Sequence, residues 1–200
     1  MKKEIGIFIL LVVLCAITGF ENPRFFSHAN LINMANVIGL FGVFSLGAGL
    51  VIITGGIDLS VGSMIALTGM LLVMALTQWH WPWPLALLFV AVFSMALGWA
   101  HGAIITRFKM QPFIVTLCGL LIYRGVARFI AQDTTLGFGN ADGFKTLQNI
   151  ANGELFGLPM PFLYLIGISF IMWVVLHKSI YGRYLFATGH NEQSDRKSVV

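Results

Sequence analysis

The chain has 200 residues, 58% of them hydrophobic and only 10% charged, against roughly a quarter charged in soluble domains. Its net charge of +4 is small and scattered, and no basic face interleaved with aromatic residues marks a nucleic-acid partner. An ordinary soluble domain is excluded, and the lipid bilayer is the solvent this composition fits.

Six apolar runs follow one another, at residues 5–20, 37–54, 61–76, 85–105, 113–130 and 161–176. As helices they reach roughly 24 to 32 Å, close to the ~30 Å hydrocarbon core. Their apolar residues are continuous rather than confined to one face, as expected of segments surrounded by lipid or by other helices. The expected fold is all-α: a polytopic membrane helix bundle of about six transmembrane helices.

Lys2 and Lys3 precede the first run as in a signal peptide, but Gly19, Phe20 and Glu21 supply no small-x-small cleavage site. Val13 and Leu14 before Cys15 are too bulky for lipoprotein processing, so the run reads as a retained anchor. Next, Ser27 can cap a short helix through Asn36, with Asn30, Asn33 and Asn36 as a drifting polar stripe. Two readings stand for it, a solvated helix entry or the lining of a cavity. Ser45 and Gly49 in the second run, and Ser94, Gly98 and Gly102 in the fourth, have the small-xxx-small spacing that lets helices pack closely.

The most informative stretch is ITGGIDLSVGS at 53–63. Gly55 and Gly56 allow the backbone to leave a helix, while Asp58 or Ser60 can cap the next one at its positive end. A carboxylate at mid-membrane costs about 2.5 to 3.5 kcal/mol on insertion scales, so Asp58 belongs at a boundary, a wet site or a pairing site. A structural link with a cap is the simplest account. A broken helix beside a translocation path is the functional one, because non-helical backbone at membrane depth survives only within protein or beside water.

The link TQWHWPWP at 77–84 is uncharged and tryptophan-rich, which suits an outer interface. Arg124 and Arg128, one turn apart near the end of the fifth run, have two readings, snorkelling to the same interface, which is favoured, or a buried role. The long link 131–160 carries five glycines with Asp133, Asp142 and Glu154, and is large enough to be functional. With six alternating crossings and the N-terminus inside, Lys2, Lys3, Arg107, Lys109, Lys178, Arg183, Arg196 and Lys197 are cytoplasmic, 8 of the 12 basic residues. The positive-inside rule therefore favours N-in and C-in.

No phosphate loop, HExxH or GxSxG motif occurs, so no ATPase, zinc-protease or hydrolase centre is expected and the chain is not read as an enzyme. Cys15 and Cys118 lie inside apolar runs, and His80, His101, His177 and His190 are scattered, so no disulfide framework, metal site or ligand set is expected.

Four segments taken in order resemble a known family: GAGLVIITGGIDLSVGS at 47–63, QPFIVTLCGLLIYRGVAR at 111–128, GLPMP at 157–161 and YGRYLFATGHNE at 181–192. They are similar to permease subunits of bacterial ATP-binding-cassette importers for ribose and related monosaccharides, over 26–192. The resemblance implies a multi-pass protein of the bacterial inner membrane that pairs with a second permease subunit. It would receive sugar from a periplasmic sugar-binding protein and be driven by cytoplasmic ATPases that bind ATP, with no cofactor in this chain. Residues 1–179 would be the transmembrane permease region and 180–192 the start of the ATPase-coupling loop. Topology and resemblance together put Gly55, Gly56, Asp58 and Ser60 at the broken-helix element and Gly182, Arg183, Gly189 and Asn191 at the ATPase-facing loop.

Beyond Glu192 the family continues with paired alanines and a small residue before glycine, whereas this chain has Ser194, Asp195, Arg196 and Lys197. Residues 193–200 are therefore expected to be a non-family tail, mobile as free termini are, and the chain a truncated or frameshifted permease. Two alternatives are a secondary transporter or channel working without ATPases, and an inactive relic.

The charge asymmetry makes a testable prediction in a variant lacking Cys15 and Cys118. Single cysteines within 131–160 should react with an impermeant maleimide from outside, and one at Lys109 only after permeabilisation. Outside labelling at 109 would reverse the topology.

Overall fold

The computed structural model describes residues 2–139 and 144–197. The helices are α1 Lys2–Glu21, α2 His28–Ile53, α3 Val61–Thr77, α4 Trp83–Phe108, α5 Pro112–Ala131, α6 Phe144–Asn152, α7 Met160–Lys178 and α8 Ile180–Lys197. Among the described residues, α2, α4, α5 and α7 are long and apolar enough to cross a membrane, while Ile5–Glu21 and Val61–Thr77 are shorter apolar helices.

Local chemistry sets the helix boundaries. A 3-10 turn at Pro23–Phe26 precedes α2, whose cap Ser27 accepts from the Asn30 amide at 3.4 Å. Proline stands in the first turn of α4, α5 and α7, where its missing N–H would be unpaired in any case. Lys109 and Gln132, both left-handed, end α4 and α5.

The short helix expected at 27–36 is not separate. No breaker follows Asn36, and the helix runs on to Ile53 as one 26-residue element. Of the stripe, Asn30 Nδ2 donates to the Phe25 carbonyl at 2.7 Å, and Asn30 and Asn33 line an open cavity beside Arg24. The long link after α5 contains α6 and a hairpin of β1 Glu154–Leu155 and β2 Leu158–Pro159. Its two turn residues, Phe156 and Gly157, both have positive φ, the twist a two-residue hairpin needs. Asp142 and Gly143 lie outside the described residues. At the C-terminal end α8 includes 193–197, and 198–200 lie outside the described residues.

The helices pack in two groups. In the first, α2 lies along α7, and a Cβ at Gly39 would run into the Pro161–Phe162 backbone while one at Gly42 would meet the Leu165 side chain. In the second, α3 packs against α4 and α5, burying Leu67, Leu71 and Tyr123 beside Phe89, Phe93 and Leu97. A further cluster of Ala75, Leu76 and Ala86 is covered by Trp81, Trp83 and Leu147 of α6. The Tyr164 hydroxyl of α7 donates to the Ile150 carbonyl at 2.7 Å, so α6 touches both groups. The glycines singled out by spacing do not make these contacts: a Cβ at Gly49, Gly98 or Gly102 would meet nothing within 4 Å. Close approach is decided by which face turns inward, which spacing alone does not reveal. Outward faces are large and apolar, as at Phe41, Ile52, Trp99, Phe129 and Phe170.

Replacing Gly39 by Val should separate α2 from α7 and destabilise the protein by about 1–3 kcal/mol, read as a lower unfolding temperature in detergent. Gly49→Val should have little effect. Equal temperatures for the two variants would remove Gly39 from the interface.

Candidate functional site

The link between α2 and α3 is built residue by residue. At the end of α2 the Gly55 amide donates to the Ile52 carbonyl at 3.0 Å and the Gly56 amide to the Val51 carbonyl at 3.1 Å. Gly55 has φ +82°, so the pair completes a Schellman termination that favours glycine at this position. Thr54 adds a hydroxyl bond to the Val51 carbonyl at 2.8 Å.

Residues 56–60 then run without helix to α3. Side chains in extended backbone alternate. Ile57 and Leu59 are exposed at 55% and 37%, whereas Asp58 is half-buried and Ser60 fully buried. Asp58 Oδ1 accepts from both the Ser60 amide at 2.8 Å and the Ser60 hydroxyl at 2.7 Å, an aspartate turn at the positive end of α3. Ser60 stands at the N-cap position, but its side chain caps no helix amide. Its carbonyl accepts from the Ser63 hydroxyl at 2.7 Å.

This segment lies against the first turns of α5 and the last third of α4. The buried Thr116 hydroxyl bonds its own helix at Pro112 (2.9 Å) and also reaches the Ile57 carbonyl at 3.2 Å. A Cβ at Gly119 would stand 2.5 Å from His101 Nε2 and 3.4 Å from Ser60 Cβ, so only glycine lets the three helices meet there. With a 1.5 Å rise, Gly119 is about 10 Å along α5 from Pro112. Ser60 therefore sits well inside the apolar length of that helix.

His101 of α4 and Tyr123 of α5 face one another, with Nε2 and the phenolic oxygen 2.9 Å apart and the rings stacked at 5.4 Å. Both are buried. In the sequence His101 is one of several scattered histidines. The available signal was an ionisable side chain inside an apolar run, which normally finds a partner within the bundle.

Gly55, Gly56, Asp58 and Ser60 thus form one continuous element. Of the second group, Gly189 on α8 presses on the Ile53 carbonyl next to Thr54, which brings it to the start of the same element. Gly182 closes over the Leu176 carbonyl and donates its amide to the Ser179 hydroxyl at 3.2 Å, and Arg183 is exposed at the α7–α8 turn. The Asn191 side chain lies outside the described residues. Arg124 is exposed, and Arg128 pairs with Asp133. Among the described residues no three His, Cys, Asp or Glu side chains come together as a metal site would require.

Tyr123→Phe should leave His101 without its buried partner at a cost of about 1–3 kcal/mol. Adding His101→Phe should recover part of that loss, as coupled neighbours do. Strictly additive unfolding temperatures in this double-mutant cycle would show that the two side chains do not interact.

Comparison with known proteins agrees with this architecture. Residues 30–197 match the family described as branched-chain amino acid transport system / permease component, a membrane permease subunit and not an enzyme. The ribose import permease protein RbsC of Bacillus subtilis is 33% identical over 195 residues, covering 97% of this chain and 59% of that protein. RbsC of Escherichia coli K12 is 33% identical over 193 residues, covering 96% and 60%. The autoinducer 2 import system permease protein LsrD of Enterobacter sp. is 30% identical over 202 residues, covering 100% and 62%. The chain thus spans about three fifths of the length of these relatives. No solved structure gives a significant match. Apolar helices of membrane-crossing length and the match over 30–197 together establish that the chain belongs to this family of integral membrane permease components.

Proposed function

We propose that the chain is part of the permease of an ATP-driven importer that moves a monosaccharide such as ribose across the bacterial inner membrane. In this reading there are six crossings, with α1 and α3 added to the four full-length helices, and both termini are cytoplasmic. A second permease subunit, a periplasmic sugar-binding protein and ABC ATPases complete the machine. ATP is bound by the ATPases, and this chain holds no cofactor.

The observation that supports this best is the non-helical element 54–60, lodged against α5 with Gly189 of α8 on its α2 side. A break of this kind, between packed helices and next to a cytoplasmic helix, can move without unfolding either neighbour. Asp58 and Ser60 are assigned to the break that opens and closes the path. Residues 180–192, with Gly182, Arg183, Gly189 and Asn191, are assigned to the ATPase-facing segment.

A second reading, a transporter driven by an ion gradient, is favoured by the two titratable side chains near Ser60 and Gly119, Asp58 and His101. Proteoliposomes holding the permease with its ATPase and binding protein separate the two. The importer reading expects ribose-stimulated ATP hydrolysis that falls about tenfold in Asp58→Asn, the loss of a charge-assisted bond of about 1.5 kcal/mol or more. Full hydrolysis in that variant would reduce Asp58 to a capping role. Uptake that follows a proton gradient without ATPase would select the second reading.

A further inference from the structure

An open groove of about 500 Å³ lies between α3, the end of α5 and the irregular segment that follows it, a volume within the usual range for small-molecule sites. Its floor is the α3 face of Ile65, Ala66, Gly69, Met70 and Val73. Its rim is polar. Arg128 Nε donates to Asp133 Oδ1 at 2.6 Å, with Thr134, Thr135 and Phe138 alongside.

The construction of the rim is informative. Gln132 ends α5 as its left-handed cap, and Asp133 after it takes left-handed backbone as well, φ 49° and 55°, which strains a residue other than glycine. This double turn folds the chain back so that Asp133 reaches Arg128 and residues 134–138 hang over α3. The ion pair is two-thirds exposed, and an exposed pair contributes little to stability, so it does not by itself account for the strained turn. The bond uses Nε and Oδ1. The other guanidinium N–H groups and Asp133 Oδ2 are further donors and an acceptor at the same edge. Because the pair is neutral overall, it favours neither an anion nor a cation. Adjacent donor and acceptor over an apolar floor match a small neutral ligand with neighbouring hydroxyls and an apolar ring face.

We propose that this cavity is a binding subsite for a neutral monosaccharide, recognised by the Arg128–Asp133 pair. The assignment rests on the sugar-importer reading, which places the end of α5 on the outer side, where sugar would arrive. The subsite is separate from the break at 54–60, since it involves the opposite end of α5.

The test uses Thr135→Cys in a Cys15- and Cys118-free permease in proteoliposomes, labelled from outside with an impermeant maleimide. D-ribose at about four times its dissociation constant leaves about one site in five free, so labelling should slow about fivefold. A Lys145→Cys variant, at an exposed position that does not line the cavity, should be unaffected, and Arg128→Gln with Asp133→Asn should abolish the protection. Unchanged labelling of the Thr135→Cys variant across a full ribose titration, or protection that survives the double substitution, overturns the subsite. Ribose-stimulated hydrolysis measured on the same vesicles distinguishes the two failures. Hydrolysis without protection removes the subsite alone, and absence of both removes the sugar-importer reading with it.

Discussion

The constraint on which the rest of the structure depends is the need to satisfy polar backbone where water is scarce. Helices meet it internally, and the link 54–60 cannot. Its solution is local and ordered. A glycine-terminated helix end uses the last carbonyls of α2, an aspartate turn takes the amide before α3, and a threonine hydroxyl from α5 reaches the carbonyl of Ile57. Alternation of the extended chain does the rest. Asp58 and Ser60 turn into the protein, and Ile57 and Leu59 turn out, the reverse of a half-buried strand in water.

This link also explains how two helix groups form one bundle. The pair α2 and α7 is joined at Gly39 and Gly42, where backbone meets backbone or branched side chain directly. The trio α3, α4 and α5 is joined by an apolar core and by the His101–Tyr123 pair under Gly119. At one end the groups are connected by 54–60, and at the other by α6 through Leu147 and Ile150. A bundle held tightly within each group and more sparsely between them can shift as two bodies about its links, the shear or hinge behaviour that packed helices allow.

Polar chemistry is therefore concentrated at the two ends of α5. One end holds the break, with Thr116 and Gly119 receiving Ser60 and Ile57. The other holds the Arg128–Asp133 rim above the α3 floor. One helix, α5, runs from one polar device to the other, and its middle is joined to α4 by the Tyr123–His101 contact.

Sequence alone determined the helices, because a 16- to 21-residue apolar run has few ways to satisfy its backbone in a bilayer. The runs at 61–76, 85–105, 113–130 and 161–176 fall inside α3, α4, α5 and α7. It also located the break, since two glycines followed by Asp58 and Ser60 are informative without any partner. Only tertiary structure decided which faces touch. The small-residue spacing pointed to close contacts at Gly98 and Gly102 that are not made, and Gly39 and Gly119 make the close ones. His101 acquires a role only when α4 and α5 are brought side by side, and Asp133 only when two left-handed residues turn it back onto Arg128. Composition and order specify helices through short-range rules, whereas pairing across helices depends on rotation and depth, which a continuous apolar run does not encode.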